Sequence, residues 1–211
     1  MKKILWTFGS SNTVPFPPNN AYTIWKGYIP KIWPELIAEK LDCELKNMAI
    51  PACDNYTIFE NICSVSNQIK QNDIVIISWT NPTRFRLVSE IENKNWIYVL
   101  ANFNKDLVSK FKNTISENTL NEIIYNRKSD LYINEIENWI KLINKTFQTN
   151  KVIHWSEFIT AGNIQLIKNC ERIFFETGGL IEDYHFSEKG NYDLAQIIMS
   201  SGKLLKNTNL I

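Results

Sequence analysis

The 211-residue sequence contains 44% hydrophobic residues, and its 23 Lys and Arg nearly balance 22 Asp and Glu, for a formal net charge of +1. This length and hydrophobic content can bury one sizeable core, so we expect a single domain over residues 1–211. No basic block or stripe is present, which argues against a nucleic-acid partner. No run approaches the roughly 18 apolar residues that a membrane-spanning helix requires.

Targeting and metal-binding patterns are also missing from the sequence. The apolar run after Met1-Lys2-Lys3 has about half the length of a signal-peptide core, and no small-residue cleavage site follows it. We therefore expect a cytoplasmic protein, or one otherwise soluble without a cleavable signal peptide. The four cysteines lack metal-ligand spacing, so we expect buried free thiols, no metal site and no cofactor.

The first predicted element is a strand that ends in a polar turn. Residues 2–8 are mostly apolar, and a Gly-Ser-Ser-Asn-Thr segment follows at 9–13. Ligand sites in open α/β sheets lie at the carboxyl ends of strands, so Ser11 is a candidate nucleophile. The alternative is a polar turn that only caps the next helix, because Ser and Asn are favoured at turns and N-caps.

Predicted helices and strands then alternate along the chain. In order they are a proline-rich loop at 14–20, a helix from Pro34, a strand at 43–49, a helix capped by Asp54 or Asn55 that runs to about Lys70, and a strand at 73–79. The run at 73–79 is almost entirely apolar, which predicts a strand covered on both faces of a parallel sheet.

The second half of the chain continues this alternation. For residues 95–101 the sequence predicts either a short strand or a turn of helix and does not decide between them. Apolar residues spaced by three and four over 133–147 predict an amphipathic helix. A strand at 151–155, a further short strand at 172–176 and a closing helix capped by Ser187 complete the chain. The alternation predicts a three-layer α/β/α sandwich around a mostly parallel sheet of about five strands.

The sequence contains two histidines, and only one is placed like a catalytic base. His154 lies in the predicted strand at 151–155, where a hydrogen-bonded core residue is the simpler interpretation. His185 follows two acids in a loop, and a general base needs an exposed imidazole oriented by a carboxylate. The alternative for His185 is a surface histidine that flanks the closing helix.

The order of these features resembles the SGNH (GDSL-type) hydrolases over nearly the whole chain. The segment FGSSNT resembles the family's first block, Gly-Asp-Ser with a trailing Asn or Thr, and puts Ser11 at the nucleophile position. The glycine of the second block falls on Ala52, and the asparagine of the third block falls on Asn81. The resemblance implies a flavodoxin-like SGNH hydrolase fold.

The family's last block, an acid followed by a histidine, falls on Asp183 or Glu182 and on His185. The resemblance implies that Ser11 attacks an ester carbonyl and that His185 acts first as base and then as acid. One of the two carboxylates would orient His185. We favour Asp183, because a shorter side chain is more rigidly placed.

The resemblance also implies an oxyanion hole, formed by the backbone N–H groups of Ser11 and Ala52 and the side-chain amide of Asn81. The sequence departs from the family in having Ser10 for the usual Asp, Ala52 for Gly, and Pro82 for the Asp after the asparagine. The Cβ of Ala52 would demand an altered turn if its φ is positive.

Three residues are candidate substrate contacts. Trp79 is expected to stack on a sugar ring, and Arg84 to pair with a substrate carboxylate. A structural ion pair is the alternative for Arg84. Trp25, in the aromatic segment after the first turn, is the third candidate, with core or lid packing as its alternative.

Two functions stay open at this point. The first is a metal-independent serine esterase acting on a small-molecule or carbohydrate ester, such as an O-acetyl group on a carbohydrate. The second is a catalytically silent protein of the same fold that binds a glycan or a protein through the aromatic segment around Tyr22, Trp25 and Tyr28. A nucleotide binder is disfavoured, because no glycine-rich phosphate loop is present.

Overall fold

The computed structural model describes residues 2–82, 84–87, 97–99, 129–201 and 204. Its strands are β1 (Ile4–Phe8), β2 (Glu44–Asn47), β3 (Ile74–Trp79), β4 (Phe85–Leu87), β5 (Ile97–Val99), β6 (Lys151–Ser156) and β7 (Gln165–Leu166). Five of them form one parallel sheet in the order β2-β1-β3-β6-β7. Strands β4 and β5 form a separate antiparallel pair.

The helices are α1 (Ala21–Lys26), α2 (Trp33–Lys40), α3 (Asn55–Val65), α4 (Ser129–Thr146), α5 (Ile173–Glu176) and α6 (Glu188–Ser200), with 3-10 turns at Ser11–Thr13 and Ser66–Gln68. Two predicted caps are confirmed. Asp54 accepts a hydrogen bond from the Thr57 amide at 2.8 Å, and Ser187 Oγ accepts one from the Gly190 amide at 3.0 Å. In the ranges described, no helix has both the length and the apolar character of a membrane span.

Two apolar cores enclose the sheet, one on each face. Side chains alternate along β3: Ile74 and Ile76 belong to the core under α2 and α6, whereas Val75 and Ile77 belong to the core under α3 and α4. All six residues of β3 are buried because helices cover both faces. The predicted three-layer sandwich with a central parallel sheet of five strands is therefore confirmed.

Two short segments required the structure for their assignment. The strand predicted at 172–176 is wrong, because Ile173–Glu176 forms helix α5, and the fifth strand of the sheet is β7. Ile173 and Thr177 are both buried, which is a helical spacing. The segment at 95–101, left open by the sequence, contributes β5 as a strand.

Candidate active site

The turn after β1 presents Ser11 at the carboxyl edge of the sheet. Gly9 allows the turn to close tightly, since a Cβ at this position would lie 2.4 Å from Thr13 Oγ1 and 2.8 Å from Ser78 Cβ. The Thr13 amide donates a hydrogen bond to the Ser10 carbonyl at 2.9 Å. Ser10 is buried beneath the turn, whereas Ser11 is half-buried and lines a cleft.

This cleft has a volume of about 520 Å³ and is built from segments distant in sequence. Ser11 comes from the turn after β1, Arg84 follows β3, Glu157 follows β6, and His185 precedes α6. The carboxyl ends of parallel strands meet at one edge of the sheet, where ligand sites of such folds lie. The structure thus brings Ser11 and His185 into one cleft.

Asp183, and not Glu182, contacts His185. His185 Nδ1 lies 2.6 Å from Asp183 Oδ1, and the same oxygen accepts the backbone N–H of His185 at 2.9 Å. The Asp183 side chain is 19% exposed and that of His185 is 41% exposed, whereas Glu182 is an exposed residue. An imidazole that donates its Nδ1 proton to a carboxylate keeps a lone pair on Nε2, as a general base requires.

The serine and the histidine share the cleft without a hydrogen bond between their side chains. No hydrogen bond joins Ser11 Oγ to the His185 ring in the part of the chain that the structure describes. Catalytic hydrogen bonds are often longer in ligand-free enzymes and tighten when substrate binds.

Two charged residues that sequence reasoning missed connect the serine turn to the histidine loop. Glu157 is 9% exposed and accepts a hydrogen bond from Asn12 Nδ2 at 2.5 Å. It also forms an ion pair with Arg172, whose Nη1 donates to the Tyr184 carbonyl at 3.1 Å. Burial lowers the pKa of the Arg172 guanidinium, and Glu157 supplies its counter-charge. The position of Glu157 directly after β6 was the available sequence clue.

Arg84 connects the serine turn to the loop after β2. Its Nη1 donates to Ser10 Oγ at 2.7 Å and to the Cys53 carbonyl at 3.4 Å. Arg84 lines the cleft, as the prediction of a substrate contact requires. The alternative of a structural ion pair is not observed among the described residues, since both of these acceptors are neutral.

The predicted oxyanion-hole residues are only partly gathered at the cleft. Ser11 lines it, whereas Ala52 and Asn81 are not among its walls. Ala52 has a φ of 57°, so the turn does adopt the left-handed conformation that favours glycine. The Asn81 carbonyl accepts the Arg84 amide at 3.0 Å.

The two tryptophans predicted to bind substrate lie outside the cleft. Trp79 is 1% exposed, stacks on Trp139 and donates its Nε1 proton to His154 Nδ1 at 3.1 Å. The assignment of Trp79 to a sugar platform is therefore wrong, because its position in β3 directs it into the core under α3 and α4. Trp25 is 46% exposed and stacks on Tyr22, away from the cleft walls.

The other histidine and most of the cysteines are buried residues of the fold. His154 is 1% exposed, which confirms it as a core residue. Cys43, Cys53 and Cys170 are buried free thiols, whereas Cys63 is exposed, contrary to prediction. The described residues include no group of three or more His, Cys, Asp or Glu side chains placed to hold a metal ion.

The fold and the cleft together define an α/β protein with a covered parallel sheet, in which a serine and a carboxylate-bound histidine line one cleft. No family model matches the sequence, and no curated protein matches it either. Several solved structures are similar to the chain as a whole.

One similar structure is a carbohydrate esterase whose active site displays divergent catalytic and non-catalytic binding functions. It is 11% identical, over 98% of this chain and 69% of that chain, with a TM-score of 0.47. The lipase Lip_vut3 from a goat rumen metagenome is 12% identical, over 95% of this chain and 98% of that chain, with a TM-score of 0.47.

A third is a lipolytic protein of the G-D-S-L family from Desulfitobacterium hafniense DCB-2. It is 15% identical, over 92% of this chain and 96% of that chain, with a TM-score of 0.38. This is the family that the sequence motifs resemble. Because the identities and TM-scores are low, the function proposed below rests on the residues of the cleft.

Proposed function

We propose that the protein is a serine ester hydrolase of the SGNH type. Ser11 is the nucleophile, His185 the general base, and Asp183 the carboxylate that orients the imidazole. The observation that supports this most strongly is the 2.6 Å contact between His185 Nδ1 and Asp183 Oδ1 in the cleft that Ser11 lines. These three groups form the set that activates a serine hydroxyl near neutral pH.

The reaction proceeds in two steps. Ser11 Oγ attacks the ester carbonyl while His185 Nε2 accepts its proton, and Asp183 stabilises the resulting imidazolium. The intermediate collapses as His185 protonates the departing alcohol, which leaves an acyl group on Ser11. Water, deprotonated by His185, then attacks the acyl-enzyme, and the bond between the acyl carbon and Ser11 Oγ breaks as His185 returns the proton to Oγ, which releases the carboxylic acid.

The backbone N–H of Ser11 donates a hydrogen bond to the oxyanion of the intermediate. The family resemblance implies two further donors, the Ala52 N–H and the Asn81 side-chain amide. Removing one such donor typically slows turnover by about 10²–10³-fold.

The substrate class is a small-molecule or carbohydrate ester with a short acyl group, such as an O-acetyl. Phe158 and Tyr184 line the cleft and are both exposed at its rim. Such rings supply the flat apolar surfaces on which sugar rings stack. They take the place that sequence reasoning gave to Trp79.

The direct test uses a fluorophosphonate probe, which reacts covalently with an activated serine. The wild type should gain one adduct, located at Ser11 by peptide mass spectrometry, and Ser11→Ala should gain none. Ser64→Ala changes an exposed serine outside the cleft and is the matched control, which should be labelled like the wild type. Labelling of Ser11→Ala at the wild-type level would overturn the nucleophile assignment.

A second candidate function is a catalytically silent binding protein of the same fold. The missing Ser11–His185 hydrogen bond and the left-handed Ala52 favour it, as do the exposed Trp25 and Tyr28 on the surface. It predicts that the wild type neither reacts with the probe nor hydrolyses p-nitrophenyl acetate. Binding of a glycan that is lost in Trp25→Ala would then support it.

A further inference from the structure

The cleft is positively charged although the whole chain is nearly neutral. Arg84, Lys168 and Arg172 line it, and Glu157 is the carboxylate among its walls. The chain as a whole has a net charge of only +1. Like charges gathered in one cleft concentrate the electrostatic field and attract ligands of opposite sign.

Among the residues that the structure describes, one of these three cations has a carboxylate partner. Arg172 is paired with Glu157, and its guanidinium also lies 4.1 Å from the centre of the Phe186 ring. Its charge is therefore compensated within the protein, and it acts as part of the structural connection between Asn12 and the Tyr184 carbonyl.

Arg84 has hydrogen-bond partners, but no described residue supplies a counter-charge at ion-pair distance. Its acceptors, Ser10 Oγ and the Cys53 carbonyl, are both neutral and both engage Nη1. Burial lowers the Arg84 pKa. Asp54 opposes this effect, but only through longer-range electrostatics. A partly buried guanidinium without a carboxylate is costly, and its remaining donors suit a bidentate anion.

Lys168 is the third cation and is exposed on the cleft wall. It has no ion pair within the described ranges. The cleft therefore combines a hydrogen-bonded guanidinium beside the serine turn with an exposed ammonium on the same walls.

We infer that an anionic group of the ester substrate binds between Arg84 and Lys168, beside Ser11. The chemistry is that of a carboxylate, sulfate or phosphate attached to the ester. This inference rests on the proposed esterase function and narrows its substrate to acidic esters. The anion either belongs to the acyl group, as in a half-ester of a dicarboxylic acid, or to the alcohol, as in an acidic sugar.

The first experiment measures kcat/KM on two matched pairs of esters. Mono-4-nitrophenyl succinate and 4-nitrophenyl butyrate share a leaving group and differ by an acyl-side carboxylate. 4-Acetoxybenzoate and its methyl ester share an acyl group and differ by an alcohol-side carboxylate. The charged member of one pair should be preferred by at least about tenfold, because hydrogen bonds to an ionised group are stronger than those between neutral groups. The pair that shows the preference identifies the side that carries the anion.

Two variants test which residues cause the preference. In Lys168→Met and Arg84→Gln, the ratio of kcat/KM for the charged ester to that for the neutral ester should fall toward one. Lys141→Met removes the same charge from an exposed position of α4 outside the cleft and should leave the ratio unchanged. Equal use of both members of each pair by the wild type would overturn the inference while leaving the esterase proposal intact.

The second experiment does not require activity. Binding of 4-acetoxybenzoate and of its methyl ester to Ser11→Ala is measured by calorimetry at low and high salt. Tighter, salt-sensitive binding of the charged compound supports the anion site, even if the wild type proves inactive and the esterase proposal fails. Equal, salt-insensitive binding within this pair and within the pair of mono-4-nitrophenyl succinate and 4-nitrophenyl butyrate, measured in the same way, overturns the inference.

Discussion

Glu157 and Arg172, which both line the cleft, form an ion pair through which the serine turn is connected to the histidine loop. Glu157 accepts a hydrogen bond from Asn12, the residue after Ser11, and Arg172 donates one to the carbonyl of Tyr184, the residue before His185. Ser11 and His185, the proposed catalytic residues, lie far apart in the sequence. This connection restricts how far their loops can move apart.

Glu157→Gln is therefore expected to lower kcat while changing KM little. A glutamine at position 157 keeps the shape of the side chain but has only one acceptor oxygen for the two donors, Asn12 and Arg172. One of the two loops therefore loses its hydrogen bond to residue 157. Misplaced catalytic groups typically cost about 10²-fold in rate. The measurement is steady-state hydrolysis of p-nitrophenyl acetate, below the melting temperature of the variant as determined by circular dichroism.

The control for this variant is Glu39→Gln, which removes an exposed ion pair with Lys31. Exposed pairs contribute little, so both kinetic constants should stay at wild-type values. If Glu157→Gln and Glu39→Gln behave alike, the connection does not position the catalytic groups.

Asp183→Asn should reduce turnover by about 10³–10⁴-fold, because an amide in this position favours the wrong tautomer of His185. Glu182→Gln should retain most of the activity, since Glu182 is exposed and the contact to the imidazole is made by Asp183. The two variants carry the same charge change one residue apart, so comparing their kcat values isolates the contact. A larger loss in Glu182→Gln would reverse the assignment of the acid.

Thiol reactivity should be confined to one cysteine in the folded protein. Burial raises the pKa of Cys53 to about 12 and that of Cys170 to about 11, and it also raises the pKa of Cys43. A raised pKa leaves little of the reactive thiolate at about pH 8, well below these values. Cys63 is exposed and should be the residue that iodoacetamide modifies.

The measurement is the mass increase after labelling under native conditions and in denaturant. One adduct is expected on the folded wild type, none on folded Cys63→Ser, and four on the unfolded wild type. Rapid labelling of Cys53 in the folded protein would show that the loop beside Ser10 opens to solvent.

Gly190→Ala should destabilise the fold by at least about 1–3 kcal/mol, as expected for overpacking at a close contact. A Cβ at this position would lie 2.0 Å from the backbone carbonyl oxygen of Glu171. Gln196→Ala, at an exposed position of the same helix, gains helix propensity and should be neutral or slightly stabilising. Equilibrium unfolding in urea measures the free energy of unfolding of both variants. Equal values for the two variants would contradict the close packing of α6 on the loop that contains Glu171.

Local sequence patterns determined the elements whose partners are close in the chain. The apolar run of β3, the spacing of isoleucines in α4 and the caps at Asp54 and Ser187 each depend on residues within a few positions of one another. The Asp183–His185 contact belongs to the same class, since the two residues are only two positions apart in sequence. Such features could be predicted because backbone periodicity and short-range hydrogen bonds suffice to explain them.

Long-range packing decided the features that the sequence left open or misassigned. Trp79 and Ile173 are apolar residues in short apolar runs, and only the elements packed against them show that one lies in a core and the other in a helix. Glu157 and Arg172 are ordinary charged residues until folding brings them together. The sequence alone therefore determined the layered α/β fold and the order of the candidate motifs. The tertiary structure decided which side chains share the cleft, because burial and charge pairing between distant segments depend on contacts that no local pattern specifies.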